Sequence, residues 1–351
     1  MENIKTELET TPTTINKTKH RKSLYLDIQY GKIKRKGYRL EIFKDDEKKL
    51  SIPAFKISKI IALGNISISP GAIGLLLNNN IALTYMNSKG RYKGTFEPEF
   101  SKNSILQYKQ IETLITKPEK QLYIAKAIIR AKLLNIKSNI QRRIKEKKIL
   151  NEDKLTIQKI NRNIRKIETA KNIPELLGLE GYTSKLYFSL FNYFILNKEF
   201  TFTGRNRRPP KDEINALLSF GYSVLVNEFV SLCYEEGLNP YFGYLHQLRY
   251  GNPCLALDMI EPFRVFFIDN LVLFLINDNI IQKKYFRHNK GGIYLNKKGV
   301  DIFLKYYEEK KEKIINYNNK KYREKDLFEL QVRQLAYFIT NRSKILSMIT
   351  K

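Results

Sequence analysis

Tryptophan is absent from the 351 residues, and cysteine occurs only at Cys233 and Cys254. Two cysteines exclude a disulfide framework and a cysteine-rich zinc site, and they fit a reducing cytoplasm. Histidine is scarce, at His20, His246 and His288, and none form a metalloprotease-type pair. There is no glycine-rich loop of the nucleotide-binding kind and no evident internal repeat. The opening MENIKTELETTPTTINKTKHRK has no apolar stretch, which excludes a secretory signal there. Long apolar runs are also few. Residues 214–227 carry no charge, but Asn215, Ser219, Ser223 and Asn227 interrupt them. A spanning helix needs about 20 apolar residues, so a buried helix is expected and no membrane association.

Acidic side chains are in deficit, with 35 Asp and Glu against 63 Lys and Arg and a formal charge of +28 at pH 7. A surplus of this size points to a polyanionic partner, nucleic acid first. Part of it also fits the Lys-, Asn- and Ile-rich usage of an A/T-rich genome. Hydrophobic residues make up 42%, enough for a sizeable core, and the length suits two domains.

The texture divides the chain in three. Residues 1–22 are polar and without period, which predicts a disordered tail. Residues 23–100 read as a small β domain. Tyr38, Leu40 and Ile42 alternate with Arg39 and Glu41, and similar short runs occupy residues 24–30, 56–63, 66–69 and 80–86. Pro70 opens one short helix over residues 70–79. In residues 101–351 helical periodicity dominates almost to the end, for example at Leu122, Ala125, Ile129, Leu133 and Ile136. The expected class is α+β, a small N-terminal sheet domain followed by a larger all-α-helical catalytic domain.

Two basic segments stand out. Residues 137–171 hold twelve basic and four acidic side chains, a pattern that fits both a solvated helix face and a surface that tracks phosphates. The loop GRNRRPP places Arg205, Arg207 and Arg208 together, and guanidinium pairs with phosphate through two parallel hydrogen bonds.

The chemistry concentrates elsewhere. Glu180 is the sole acid in an otherwise apolar and aromatic helical stretch, residues 176–195. His246 precedes a polar turn with Gly251 and Pro253. Beyond the turn, Asp258 and Glu261 stand three apart on one helix face among Leu255, Leu257, Met259, Ile260 and Phe263. Carboxylates in apolar surroundings need partners or a cation. A helix-start cap, a dipole partner and a hydrogen-bonded scaffold histidine are the ordinary alternatives. One imidazole with two or three carboxylates suits a hard divalent cation, and in a strongly basic chain this points to phosphodiester chemistry.

Residues 24–351 resemble CRISPR-associated protein 1, the integrase family of CRISPR spacer acquisition. The resemblance is carried by LEGYTSKLYF (179–188), RRPPKDEINALLSFGYSVL (207–225), GLNPYFGYLH (237–246) and LALDMIEPFR (255–264), and more weakly by residues 52–69 and 331–339. It implies that Glu180, His246 and Glu261 are the catalytic metal ligands, holding Mg²⁺ or Mn²⁺. Asp258 would stand beside them and orient His246, a metal-bound water or a neighbouring Arg. His246 must be neutral to ligate, so activity should fall at acidic pH. Pro262 stands where many members have another acid. Arg264 joins the loop arginines as an expected DNA contact. The resemblance further implies a homodimer, with two such dimers bridged by a dimer of CRISPR-associated protein 2. The substrate would be a short DNA duplex whose 3′-hydroxyls attack the CRISPR array. A catalytically silent DNA-binding scaffold and a transposon integrase of the same fold are the alternatives.

Overall fold

The computed structural model describes residues 22–86, 92–96, 103–145, 154–206, 209–289 and 291–350. The tail expected over residues 1–22 lies outside this set except for Lys22, and Arg207 and Arg208 lie outside it too. Within the described residues the chain forms two compact units, the first made of residues 22–85 with 95–96 and the second of the described residues from 86 onward apart from those two.

The first unit is built on two four-stranded sheets. Strands β1 (Lys22–Asp27), β5 (Ile57–Leu63), β7 (Ala82–Met86) and β8 (Tyr92–Phe96) lie in the order β1-β5-β7-β8. Strands β2 (Gly31–Lys36), β3 (Arg39–Lys44), β4 (Glu47–Pro53) and β6 (Ile66–Ile68) lie in the order β4-β3-β2-β6. Period-2 alternation sets the register. Ile33 faces Ile42 across the β2/β3 ladder, and both are buried with Leu40, Ile57, Ile60 and Leu83 in one core. Tyr38, expected inside the strand, sits in the hairpin turn beside Gly37, whose φ is +59°, and is exposed. Helix α1 (Pro70–Asn78) follows β6, with the Ser69 hydroxyl accepting the Ala72 N–H at its start.

The second unit is a helical assembly around α3 (Pro118–Lys145) and α6 (Glu213–Glu236). Helices α2 (Ser104–Thr116), α4 (Lys154–Thr169), α5 (Ile173–Ser189), α7 (Cys254–Ile260), α8 (Asn270–Asn277), α9 (Lys297–Glu312) and α10 (Glu324–Ile339) complete it. Asp212 caps α6, accepting the Asn215 N–H at 2.7 Å, and Gly237 ends it at φ +90°. This helix is long and apolar enough to cross a bilayer, but 83% of its apolar window is buried inside the protein. Its Phe229 joins Phe263, Phe267 and Phe328 in one aromatic cluster, with ring centroids 4.9–5.3 Å apart.

The unit also contains two hairpins that helical periodicity did not reveal: β9 (Phe286–Asn289) with β10 (Gly292–Leu295), and β11 (Ile314–Tyr317) with β12 (Lys320–Arg323). His288 is exposed on β9. The basic segment 137–171 divides between the end of α3 and α4, and residues 146–153 are not described. On α4, Ile160, Asn163 and Ile167 face inward while Lys159, Arg162, Arg165 and Lys166 face out.

Candidate metal centre

Four segments of the second unit supply the site. Glu180 lies within α5, well past its first turn. It is therefore not the helix-start carboxylate of the ordinary reading. Ser184, one turn on, donates its hydroxyl to Glu180 Oε1 at 2.8 Å. Asp258 lies on α7 and Glu261 just past its end. Pro262 sits in the junction that follows, before a π-helical stretch, Arg264–Asp269. There the missing proline N–H breaks no helical ladder. Asn135 of α3 clamps this junction, donating to the carbonyls of Pro262 at 2.7 Å and Ile349 at 3.0 Å.

Asp258 is fully buried and organises His246. Its Oδ2 accepts the backbone N–H groups of Tyr244 and Leu245 at 2.6 and 2.9 Å. Its Oδ1 accepts the backbone N–H of His246 and contacts His246 Nδ1 at 2.7 Å. A carboxylate on Nδ1 holds the proton there, so the neutral ring presents a lone pair at Nε2. The approach requires a bare backbone at Gly243, where a Cβ would lie 2.8 Å from Asp258 Oδ2 and 2.7 Å from the Cys254 carbonyl carbon. The loop beyond His246 turns at Gly251, φ +69°, and Cys254 Sγ ties it back to the Gln247 carbonyl at 3.0 Å.

His246 Nε2 lies 3.9 Å from Glu261 Oε1. The same oxygen is 2.9 Å from Arg264 Nε, and Oε2 is 2.6 Å from Lys132 Nζ. Lys132 also pairs with Glu180 Oε1. Burial pushes the Glu261 carboxyl up, but Arg264, Lys132 and His246 outweigh it and hold it at about 2. Glu180 is opposed by burial as well, yet Lys132 brings it below the ordinary carboxylate range. His246 loses basicity to burial, but its bond to Asp258 and the negative charges nearby raise it overall.

Among the described residues no three His, Cys, Asp or Glu side chains are set to close on an ion in this arrangement. The position between Glu180 and Glu261 is taken by the Lys132 ammonium. The donor set nevertheless fits a hard divalent cation, with two carboxylates and one imidazole nitrogen whose tautomer is fixed.

A cavity of about 590 Å³ opens beside the carboxylates, and Lys132, Glu180, Ser184, Arg205, Tyr222 and Arg264 are among its lining residues. Arg205 is turned inward. It donates to Asn215 Oδ1 at 2.7 Å and Ser219 Oγ at 3.1 Å, rather than reaching out from the loop. Arg264 lies 4.6 Å from the centre of the Tyr222 ring. The Tyr222 hydroxyl donates to buried Asp269 at 2.5 Å. The structure thus gathers Glu180, His246, Asp258, Glu261 and Arg264, with Arg205 along the cavity. Sequence reasoning missed Lys132, Asn135, Gly243, Tyr222 and Asp269. One signal was available: Lys132 shares a helix face with Ile128 and Ile136, on the buried stripe of α3.

The profile described as CRISPR associated protein Cas1 matches residues 24–309, and the chain belongs to that family. The CRISPR-associated endonuclease Cas1 of Thermotoga maritima is 32% identical over 82% of this chain and 86% of its own length. That of Leptospira interrogans is 41% identical over 56% of this chain and 80% of its own. Among solved structures, a Cas1 protein from Thermotoga maritima superposes with a TM-score of 0.81 at 28% identity, covering 93% of this chain and all of that one. A casposase bound to integration product gives 0.80 at 26% identity, covering 93% and 92%. A Cas6-RT-Cas1–Cas2 complex shares the fold, with a TM-score of 0.80 at 22% identity over 95% of this chain and 36% of that one.

Proposed function

We propose that this chain is the integrase of CRISPR adaptation, inserting short duplex DNA into the repeat array by divalent-metal-assisted transesterification. The observation that carries the reading is the approach of His246 to Glu261, 3.9 Å apart, with Glu261 and Glu180 both paired to Lys132 beside a cavity lined by two arginines. Glu180, Glu261 and His246 Nε2 would hold Mg²⁺ or Mn²⁺. Such an ion, when bound, polarises the scissile phosphate and stabilises the charge of the transition state. Asp258 keeps the proton on His246 Nδ1 and the lone pair on Nε2. Arg264 and Arg205 set positive charge where phosphate oxygens enter the cavity.

In the reaction a 3′-hydroxyl oxygen bonds to an array phosphorus. The opposite P–O bond breaks, the attacking hydroxyl gives up its proton, and the departing 3′-oxygen takes one up, so no net proton is gained or lost. Hydrolytic nicking is the same displacement with water as nucleophile, in keeping with the endonuclease names of the relatives. We assign as partners the prespacer duplex, the array, a second copy of the chain, and a Cas2 dimer bridging two such homodimers. A solved complex in which the same fold accompanies Cas2 supports the last of these. The likeness to a casposase supports the same chemistry at a different target.

The test is strand transfer of labelled duplex DNA into a supercoiled plasmid with Mg²⁺ or Mn²⁺. His246→Ala should abolish the product while DNA binding persists, because the basic surface is untouched. Asp258→Asn should fall by about 10- to 100-fold, the usual cost of losing an orienting partner. Near wild-type product from His246→Ala would overturn the assignment. Plasmids with and without an array separate the adaptation integrase from a transposon-type enzyme.

A further inference from the structure

We propose that Lys132 is a built-in counter-cation: its ammonium holds Glu180 and Glu261 together in the metal-free protein, competes with the divalent ion for them, and moves into the adjoining cavity when the ion binds. The proposal rests on the assignment of these two carboxylates as ligands.

The location comes first. Lys132 projects from the buried face of α3, and its side chain is only 8% exposed. A lysine in such a place is costly unless it is paired. It is paired twice, to Glu180 and, at 2.6 Å, to Glu261 Oε2. An ion shared by the two carboxylates needs the same space. An ammonium and a divalent cation repel at such range, so they cannot occupy the site together.

The surroundings allow the exchange. When Lys132 leaves, Glu261 keeps Arg264 at 2.9 Å and Glu180 keeps the Ser184 hydroxyl at 2.8 Å. Lys132 lines the cavity of about 590 Å³ with Arg205 and Arg264, so a short swing puts its ammonium there. A DNA phosphate in the cavity would receive it. Metal loading and DNA binding then favour each other, since each relieves the charge that opposes the other.

Mn²⁺ binding to the full chain is measured without DNA, from the loss of the free-ion electron paramagnetic resonance signal, alongside the thermal midpoint of metal-free protein. Lys132→Met should bind Mn²⁺ at least about tenfold more tightly than wild type. Its metal-free midpoint should fall and be restored by Mn²⁺. Lys132→Arg, which keeps the charge, should bind as weakly as wild type. Lys132→Gln, neutral but still a donor, carries the same expectation as Met if that variant does not fold. A purely structural lysine would lower the midpoint without tightening Mn²⁺. Equal Mn²⁺ affinity in wild type and both neutral variants overturns the proposal and leaves the ligands standing. Mn²⁺ binding that is unchanged in Glu261→Gln overturns the ligand assignment and the proposal together.

Discussion

Asp269 shows how burial governs a single residue in the cavity wall. Burial pushes its carboxyl up to about 6, although the Tyr222 and Tyr187 hydroxyls, Arg205 and Arg264 pull the other way. The folded state therefore binds this proton more tightly than the unfolded chain does. The resulting stability is complete below the ordinary carboxylate range and is lost as pH rises towards 6. Asp269→Asn keeps an acceptor for Tyr222 and removes the charge. Its unfolding free energy, relative to wild type, should increase by about 2–3 kcal/mol between pH 4 and pH 8. A pH-independent difference in denaturant titrations would contradict this. Asp269 and Lys132 were passed over in the sequence for one reason. Each lies in an apolar helical stripe, where an isolated charge reads as a rim residue, and only tertiary packing supplies its partners. Asp258 and Glu261 were legible as a pair because three-residue spacing on one helix already places them together.

At the scale of the element, the turn before His246 depends on Gly243. An added Cβ there meets Asp258 Oδ2 and the Cys254 backbone, and backbone cannot yield cheaply. Gly243→Ala should shift Asp258 away from the His246 ring and reduce strand transfer by about 10- to 100-fold, with DNA binding retained. Gly178 in α5 is the control, since a Cβ there meets nothing within 4 Å. Gly178→Ala should leave transfer unchanged and raise stability by up to about 1 kcal/mol through helix propensity. Most elements were readable in advance because they run long enough to show a period, as in α3 and β3. The hairpins β9–β10 and β11–β12 were not, because four-residue strands barely complete two alternations. The π-helical stretch after Pro262 was hidden as well, since its wider turn has no composition of its own.

For the whole molecule, the positive charge has a visible place on the outward face of α4, in Lys159, Arg162, Arg165 and Lys166. The α3 and α5 helices pack on the other side, where Asn163 donates to Thr183 at 3.0 Å. Replacing the four residues with Gln should leave the fold intact and weaken DNA binding. If all four contact phosphates, the slope of log affinity against log salt should flatten by about 3 to 4. An unchanged slope would make the face a solvated surface, the other reading that composition allowed. The charge balance was legible from residue counts alone, but which face carries it depended on the helix packing. The clamp at Asn135 also has a meaning in time. Its amide holds the junction at Pro262 and the carbonyl of Ile349 together, and Gln331 accepts the Ile349 N–H at 2.8 Å. During synthesis α3, α5 and α7 leave the ribosome well before residue 349 does. A nascent chain can therefore pack these helices but lacks the segment that locks the junction between them, so the junction is completed late in translation.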